Sequence, residues 1–443
     1  MNVGLSPQVR DVYAARFSQL AGGGSPPWLA PARQRAFDAF VAQGWPTKQQ
    51  EAWRFTDISP ITESDLLPEA ATQGSFDLAH FNPSLLKLSG SGGHRLVFVD
   101  GHHHREFGSE VLGDLQVAAF SSPTVVDNVD LRAHLGRHLR NSNAFVALNT
   151  AFMRDGAFVH IPAGVKAEQP IYLVYLASTA GSTSFPRTVI VAGANSRATV
   201  VEIHLGADGR ATLSNAATEI VLGNDADLAY HAIQSVSPVG FYMGHVAVTQ
   251  ASGSCFSSHS LALEGRIVRN DMHTVLAGEG CTSSLDGIYL ASGRSHVDNQ
   301  TTIDHTKPRS TSREDYRGAV ADAGHAVFSG RIIVRPGASK TDARQSNRNL
   351  LLSDGAQINS KPQLEIFNSD VKCSHGATTG RLDPEALFYL RARGIDKKEA
   401  SRLLIRAFLR QGLDRIASAQ IRDQLATVLD GRIDSLALEG NGL

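Results

Sequence analysis

The 443-residue chain has only three cysteines, Cys255, Cys281 and Cys373, and no CxxC pair. So few thiols, in odd number, exclude a disulfide scaffold. Long apolar runs are missing too: none approaches the ~20 residues that a membrane-spanning helix needs. The opening stretch, MNVGLSPQVRDVY, has no basic patch followed by an apolar core, so no signal peptide is read there. A soluble protein in the reducing cytoplasm is expected. Excess charge of either sign is absent as well: 42 basic and 43 acidic residues leave a net charge of -1. Nothing global therefore points to nucleic acid or an anionic membrane. A P-loop is also lacking. The nearest approach, GASKT at 337–341, has Ser339 where glycine must precede the lysine, and Ile333 where the first glycine should stand.

What the chain does have is ordinary globular composition, 42% hydrophobic and 19% charged, which is enough to bury a real core. Glycine, at 40 residues, exceeds its usual share of about 7% and signals many tight turns. Three zones follow. Residues 1–90 read as an N-terminal helical domain: Phe37, Phe40 and Val41 recur at helical spacing before Gly44 and Pro46 stop the helix. In EAWRFTDI, Trp53 and Phe55 alternate with polar neighbours, which suits a short extended piece.

Residues 91–380 are mainly β. Runs such as HRLVFVDG, PIYLVYLAS, RTVIVAG and GRIIVRPG are rich in β-branched residues and punctuated by Gly, Asn and Asp. Between 187 and 235 they recur every 10 to 12 residues. That pattern allows a sandwich, a barrel or a solenoid. The length favours a β-solenoid, because stacked coils extend one core without limit. Residues 381–443 read as a C-terminal helical domain. Asp383-Pro384 caps a first helix that stops at Gly394, and Asp396 with Glu399 suggests a capping box. Ala400, Leu403, Leu404, Ala407 and Phe408 form an apolar stripe on a second helix, and Ile416, Ile421, Leu425 and Leu429 one on a third. Arg391, Arg393, Lys397, Lys398, Arg402, Arg406 and Arg410 mark exposed faces, either solvated or meant for a partner.

Candidate chemistry is sparse. The triplet His102–His104 follows Asp100-Gly101, and only His102 and His104 can face one ligand; a solvated turn is the simpler reading. Asp298, Asp304, Glu314 and Asp315 supply carboxylates of the kind a β-solenoid carbohydrate enzyme needs in pairs on one face. Cys255 and Cys281 sit among small polar residues, and core packing accounts for them. The stretch DVKCSHGATTG is different. Alternation places Cys373 and His375 on one face of a strand, ~6–7 Å apart at the backbone. Thiolate and imidazole suit iron or zinc, but two ligands do not close a tetrahedral site. Either further ligands come from elsewhere, another chain included, or the pair is a packed cysteine beside a turn histidine.

The block KPQLEIFNSDVKCSHGATTGRLDPEALFYLRARGI, residues 361–395, closely resembles the C-terminal signature of the SufB/SufD family, scaffold subunits of the SUF iron–sulfur cluster assembly machine. EAWRFTDI, ALNTAF, GAFVHIPAGV, EDYRGAVADAGHAVFSGRIIV and TDARQSNRNLLLS extend the resemblance along the chain. EAWRFTDI and CSHGATTG are similar to the SufD branch. In SufB a ligand cysteine stands near Asn347, and a Glu-His-Glu run replaces Ser374-His375-Gly376. The resemblance implies a right-handed parallel β-helix flanked by helical domains. It also implies a non-catalytic subunit of a complex of one SufB, one SufD and two copies of the ATPase SufC. The C-terminal helices would dock SufC, and the β-helix would meet SufB. On this reading His375 is a ligand to iron or a nascent cluster, with Cys373 a weaker one. No cofactor is then held stably by the chain alone, and an exposed β-helix surface leaves room for a homodimer when the chain is free. A SufB-like principal scaffold and the carbohydrate enzyme remain the rival readings.

Overall fold

The computed structural model describes residues 5–21, 27–68, 76–90, 92–139 and 143–437. Its body is a parallel β-solenoid of about eight coils. Each coil gives one strand to each of two sheets, so every strand pairs with the next but one in sequence. Arg197 lies beside Asp227, Asp227 beside Cys255 and Cys255 beside Thr282. One coil thus takes some 30 residues.

The corners explain the glycine, asparagine and aspartate punctuation. Asn195, Asp225, Gly253, Gly280, Arg309 and Lys340 all have positive φ. Each donates its backbone N–H to a carbonyl of the next coil, as Asn195 does to Asn224 and Lys340 to Asp370. Gly, Asn and Asp adopt this left-handed conformation most readily, which is why they recur there. GASKT is one of these corners, with Gly337 and Lys340 at positive φ. A strand follows it, Thr341–Leu351, rather than the helix a phosphate loop requires.

Inward positions alternate along each strand. The first coils are packed with Leu, Ile, Val and Tyr, among them Leu173, Ile190, Val200 and Tyr230, all essentially inaccessible. Later coils carry Asn299, Glu314, Gln345, Asn347 and Asn349 inward, also buried. Many solenoid strands are ten residues long, as Leu213–Leu222 is, and longer than the apolar runs suggested. The run TEIVLG is only the second half of that strand. In its first half, LSNAA, Asn215 is bonded to Phe145 and Asn149 of the helix Ala144–Phe152 at 2.9 and 2.7 Å, so the apolar run covers only part of the strand and the spacing of 10 to 12 residues undercounts the coil.

The two ends differ. At the N-terminal end the strand Gln116–Ala119 pairs antiparallel with Ala157–Ile161, and the hairpin His94–Val99/His102–His103 closes the other sheet. Asp100 and Gly101, both at positive φ, make its two-residue turn. The helix Ala144–Phe152 is buried along its whole length, and Ala30–Gln43 packs on it through Phe37 and Phe40. Fully buried Arg187 pairs with Glu219 and donates to Asn149 Oδ1 at 3.0 Å. Glu219 also accepts the backbone N–H groups of Gly136, Arg137 and His138 at 2.7–2.9 Å. A buried charge is tolerated only when paired and hydrogen-bonded in this way. At the other end, Gln357–Ile366 and Val371–Gly380 each have a strand neighbour on one side only.

EAWRFTDI is a strap across the outside of one sheet. It forms a 3-10 turn at Glu51–Trp53, where the alternation had suggested an extended piece. Its place is set by Arg269, whose guanidinium lies 3.9 Å from the Trp53 ring centroid and donates to the Ala52 carbonyl at 3.0 Å.

Three C-terminal helices, Pro384–Ala392, Lys397–Arg410 and Ala419–Asp434, follow the solenoid. Asp383 and Asp396 are their N-caps as read, each accepting from backbone N–H groups. Glu399, however, turns to Arg406 at 3.0 Å. Ile416, Ile421, Leu425 and Leu429 are buried. The stripe of the middle helix is displaced from the one expected: Ala400, Ser401, Ile405 and Leu409 are buried, while Leu403 and Ala407 are exposed. The helix is apolar over a wide arc, and contact with Ile288 and Leu290 of the solenoid selects the buried side. Arg402, Arg406 and Arg410 are joined to Asp430 and Asp434 of the third helix, so they lace two helices together rather than facing solvent freely. Among the described residues no helix is long and apolar enough to cross a membrane.

Candidate functional site

The open end of the solenoid carries DVKCSHGATTG. Val371–Gly380 pairs in parallel with Thr341–Leu351, with Ala343 beside Cys373, Gln345 beside His375 and Asn347 beside Ala377. Ala343, Gln345 and Asn347 point inward and are buried. Cys373, His375 and Ala377 therefore occupy the inward positions of a coil that no further coil covers. Cys373 is half-buried against Ala343, Val334 and Leu364. Burial pushes its thiol above the ordinary cysteine value, and the nearby Asp342 charge adds to this. The isolated chain thus keeps Cys373 a packed thiol. His375, by contrast, is exposed. On the outer side of the same strands a recess of about 350 Å³ is lined by Arg313, Arg344, Arg348 and Arg415 together with Asp315, and it also touches Gln345 and His375. Its charge is mixed, with the basic groups in excess. Among the described residues no three His, Cys, Asp or Glu side chains stand close enough together to hold a metal.

Asn347 has no exposure. Its amide donates to Tyr289 Oη at 3.0 Å and to the Tyr316 carbonyl at 3.2 Å. Its side-chain oxygen accepts from Asn349 and Ser360, both at 2.7 Å. Every polar position of the amide is used, so here the residue is a structural knot.

The other candidates do not converge. Asp298 lies on the outside of one sheet, paired with Arg269 and bonded to Thr56 under the strap. Asp304 is on the same face but is clamped by Arg335 at 2.8 and 2.9 Å. Glu314 points into the solenoid and Asp315 out of the opposite sheet, beside Arg317. An acid–base pair on one face is not formed. His102–His104 are half-buried rather than freely solvated, because the Asp100-Gly101 turn folds them back onto the hairpin, where His103 packs on Phe98. Cys281 belongs to the core, with its sulfur 3.1 Å from the Ala251 carbonyl. Cys255 is half-buried at a strand start.

Two features were not singled out in the sequence. One is the inward file Glu314, Gln345, His375 on three adjacent strands. Burial raises the Glu314 carboxyl to about 7, against the lowering effect of the Thr301 hydroxyl and the Gln345 amide. The period-2 alternation in TDARQSNRN carries the signal, but it becomes readable only once the coil register is known. The other is a polar seam beneath the C-terminal helices, on the outer face of the His375 sheet. His231, His259, Asp286 and Asp315 are register neighbours there. Arg415 reaches Asp286 at 2.7 Å, and Arg317 reaches the Phe408 carbonyl at 3.1 Å. Burial holds His231 and His259 down at about 3 and about 4 and lifts Asp286 to about 6. On the far side of the helices Phe388 and Tyr389 are 75% and 57% exposed.

Comparison with known proteins agrees with this architecture. Residues 175–408 match the family model described as SUF system FeS cluster assembly, SufBD core domain, and residues 111–173 match the SufBD protein N-terminal region. The iron–sulfur cluster assembly SufBD family protein slr0076 of Synechocystis is 29% identical over 428 residues, covering 94% of each chain. The iron–sulfur cluster assembly protein SufD of Escherichia coli is 28% identical over 408 residues, covering 91% of this chain and 93% of its own. SufD of Bacillus subtilis is 28% identical over 296 residues, covering 66% and 68%. With the core model spanning over half of its length and SufD proteins similar along it, this chain belongs to the SufB/SufD family of the SUF iron–sulfur cluster assembly system and is SufD-like.

Proposed function

We propose that this chain is the SufD-type half of a composite assembly site, and that its open solenoid end meets the solenoid of a SufB-type partner. The observation that carries the reading is the last coil. Two parallel edge strands are left without outer partners, and on the last of them the inward residues His375, Ala377 and Thr379 are exposed. An uncovered edge is a template for pairing with another chain. An imidazole nitrogen at such a mouth is a donor for iron or a nascent cluster, which is here the cargo of the assembly. Its remaining ligands would come from the partner, which accounts for an incomplete set on this chain. Cys373, packed with its thiol protonated, supports the rung and joins the ligand set only if pairing rearranges it.

The C-terminal helices are the docking surface for the SufC-type ATPase. Exposed Phe388 and Tyr389, with Arg393 stacked 4.4 Å over the Tyr389 ring, have the composition of a protein contact. Motion of a docked ATPase would reach the His375 sheet through the seam of Arg415, Asp286 and Arg317. The chain is on this reading a subunit without its own catalysis, and it assists iron acquisition and cluster assembly.

The test is co-purification of the tagged full-length chain with its partners, followed by iron and sulfide analysis, for the native sequence and for His375→Ala. The complex should assemble in both cases, with iron and sulfide content falling ~10-fold or more in the variant. Unchanged cluster content would remove His375 from the ligand set. A homodimer purified without other subunits would remove the heteromeric site.

A further inference from the structure

We infer that the recess on the outer face of the last strands binds a small molecule bearing a diphosphate, with Arg313 and Arg348 as its principal anchors. The inference goes beyond the reading above and depends neither on His375 as a ligand nor on a partner chain.

The strands Thr311–Val320, Thr341–Leu351 and Val371–Gly380 lie side by side in one sheet. Their outward positions set Arg313 beside Arg344 and Arg317 beside Arg348, two register pairs of like charge. Register neighbours stand ~4.8 Å apart at the backbone, and like charges directly opposite one another are destabilising. Neutralisation is incomplete. Arg317 is paired with Asp315 at 3.3 Å, Arg344 with Asp342 at 3.1 Å and Arg415 with Asp286 at 2.7 Å. Arg313 and Arg348 are exposed, and among the described residues neither has an ion pair or a hydrogen bond.

Between the two arginine pairs the face falls to short side chains. Ser346 and Gly376 continue the file of Asp315, and Ser374 continues that of Arg344. The Ser346 and Ser374 hydroxyls are also without hydrogen-bond partners among the described residues. Long side chains at the rim and short ones at the floor shape the recess of about 350 Å³, and Arg415 lines it from the segment that joins the second and third C-terminal helices. Asp315 is the one acid lining it besides Glu314, whose side chain points into the solenoid; Asp315 is buried, with its charge met by Arg317.

The group that fits is an anion rich in acceptor oxygens. Guanidinium forks match phosphate oxygens two at a time, and free hydroxyls donate to the same oxygens. Arg313 and Arg348 approach from opposite corners, ~13 Å apart along the strand direction at the backbone. Anchors so far apart favour two linked phosphates over a single oxyanion. A local arrangement that costs stability without an evident gain marks a functional position, and here the gain comes when a ligand supplies the missing negative charge.

Isothermal titration of the full-length chain with pyrophosphate, ADP, inorganic phosphate and sulfate tests this. Pyrophosphate should bind ~10-fold tighter than phosphate or sulfate, and Arg313→Gln/Arg348→Gln should weaken it ~10–100-fold. Arg132→Gln/Arg331→Gln removes the same charge from exposed positions elsewhere and should leave the affinity within ~3-fold of native. ADP separates the sources: tighter binding than pyrophosphate assigns a diphosphate carried on a larger molecule, and weaker binding assigns the free ion. Thermal unfolding gives a second readout. Pyrophosphate should raise the Tm of the native chain and not that of Arg313→Gln/Arg348→Gln. Without ligand that variant should unfold no lower than native, because the opposed charges are gone. The inference is overturned if neither pyrophosphate nor ADP binds the native chain below ~10 mM, if sulfate binds as tightly as pyrophosphate, or if the two double variants weaken binding equally, which would leave diffuse charge as the whole cause.

Discussion

The two ends of the solenoid are built from the same coil and finished in opposite ways. At the N-terminal end antiparallel strands, a hairpin and a fully buried helix cover the first coil, and the Arg187–Glu219 pair ties the cover down. At the C-terminal end the last two strands have no outer partner, and their inward residues run from half-buried, as Leu364 and Cys373 are, to exposed, as His375 and Ala377 are. Leu173 and Ala377 belong to one inward file, linked coil by coil through Glu202, Ala232, Ser260, Gly287, Tyr316 and Asn347. The first is fully buried and the last exposed. Natural sheets hide their edges. If the bare end meets a partner as proposed, stability and recognition are separated along a single axis.

The comparison can be broken most forcefully at the covered end. Arg187→Met should cost about 3–5 kcal/mol, because Glu219 is left buried without its partner. Leu173→Ala should cost about 2–5 kcal/mol through the cavity it leaves. Both are read from denaturant midpoints, and losses below ~1 kcal/mol would show that the cover is not a stability element.

The shared body between the ends responds to pH. His231, His245, His259, His296 and His305 are held at about 3 to about 4 by burial. In the fold they bind fewer protons than in the unfolded chain, so each loses stability as pH falls below 6.5. One unit below that value the loss is ~1 kcal/mol for each. Asp286 and Glu314, raised to about 6 and about 7, act the other way and gain as pH falls through those values. Five groups against two predict a net drop in Tm between pH 7 and pH 5. A flat or rising Tm would mean that these imidazoles are already charged in the fold.

The smallest effect on stability belongs to the open end. Ala377→Leu should change the stability of the isolated chain by no more than ~0.5 kcal/mol, as surface substitutions do. The same variant should lose co-purification with a SufB-type partner. A large loss of stability in the isolated chain would mean that the mouth is a core.

Much of this was legible in the sequence, and the omissions have a common cause. Runs such as PIYLVYLAS announced strands because the early coils are packed with aliphatic side chains. TSREDYRGAV and TDARQSNRNLL are strands of equal length, but their inward residues are Glu314, Gln345 and Asn347, and a search for apolar alternation passes over them. The strap at Glu51–Trp53 was misread because its shape is imposed by Arg269, 217 residues away. His375 itself has no local signature beyond its two-residue spacing from Cys373. It was the resemblance of the surrounding block that shifted attention from the thiol to the imidazole; in the structure the thiol is half-buried and the imidazole exposed.

The open coil has a further consequence, in rates rather than in shape. In a stack each coil is held by those beside it. Opening an inner coil breaks two interfaces, and opening the last breaks one. The strand that carries His375 is therefore where backbone amides exchange with solvent soonest and where the native state opens most often. Whatever docks there lengthens the lifetime of that coil, so assembly registers first as slowed amide exchange along Val371–Gly380.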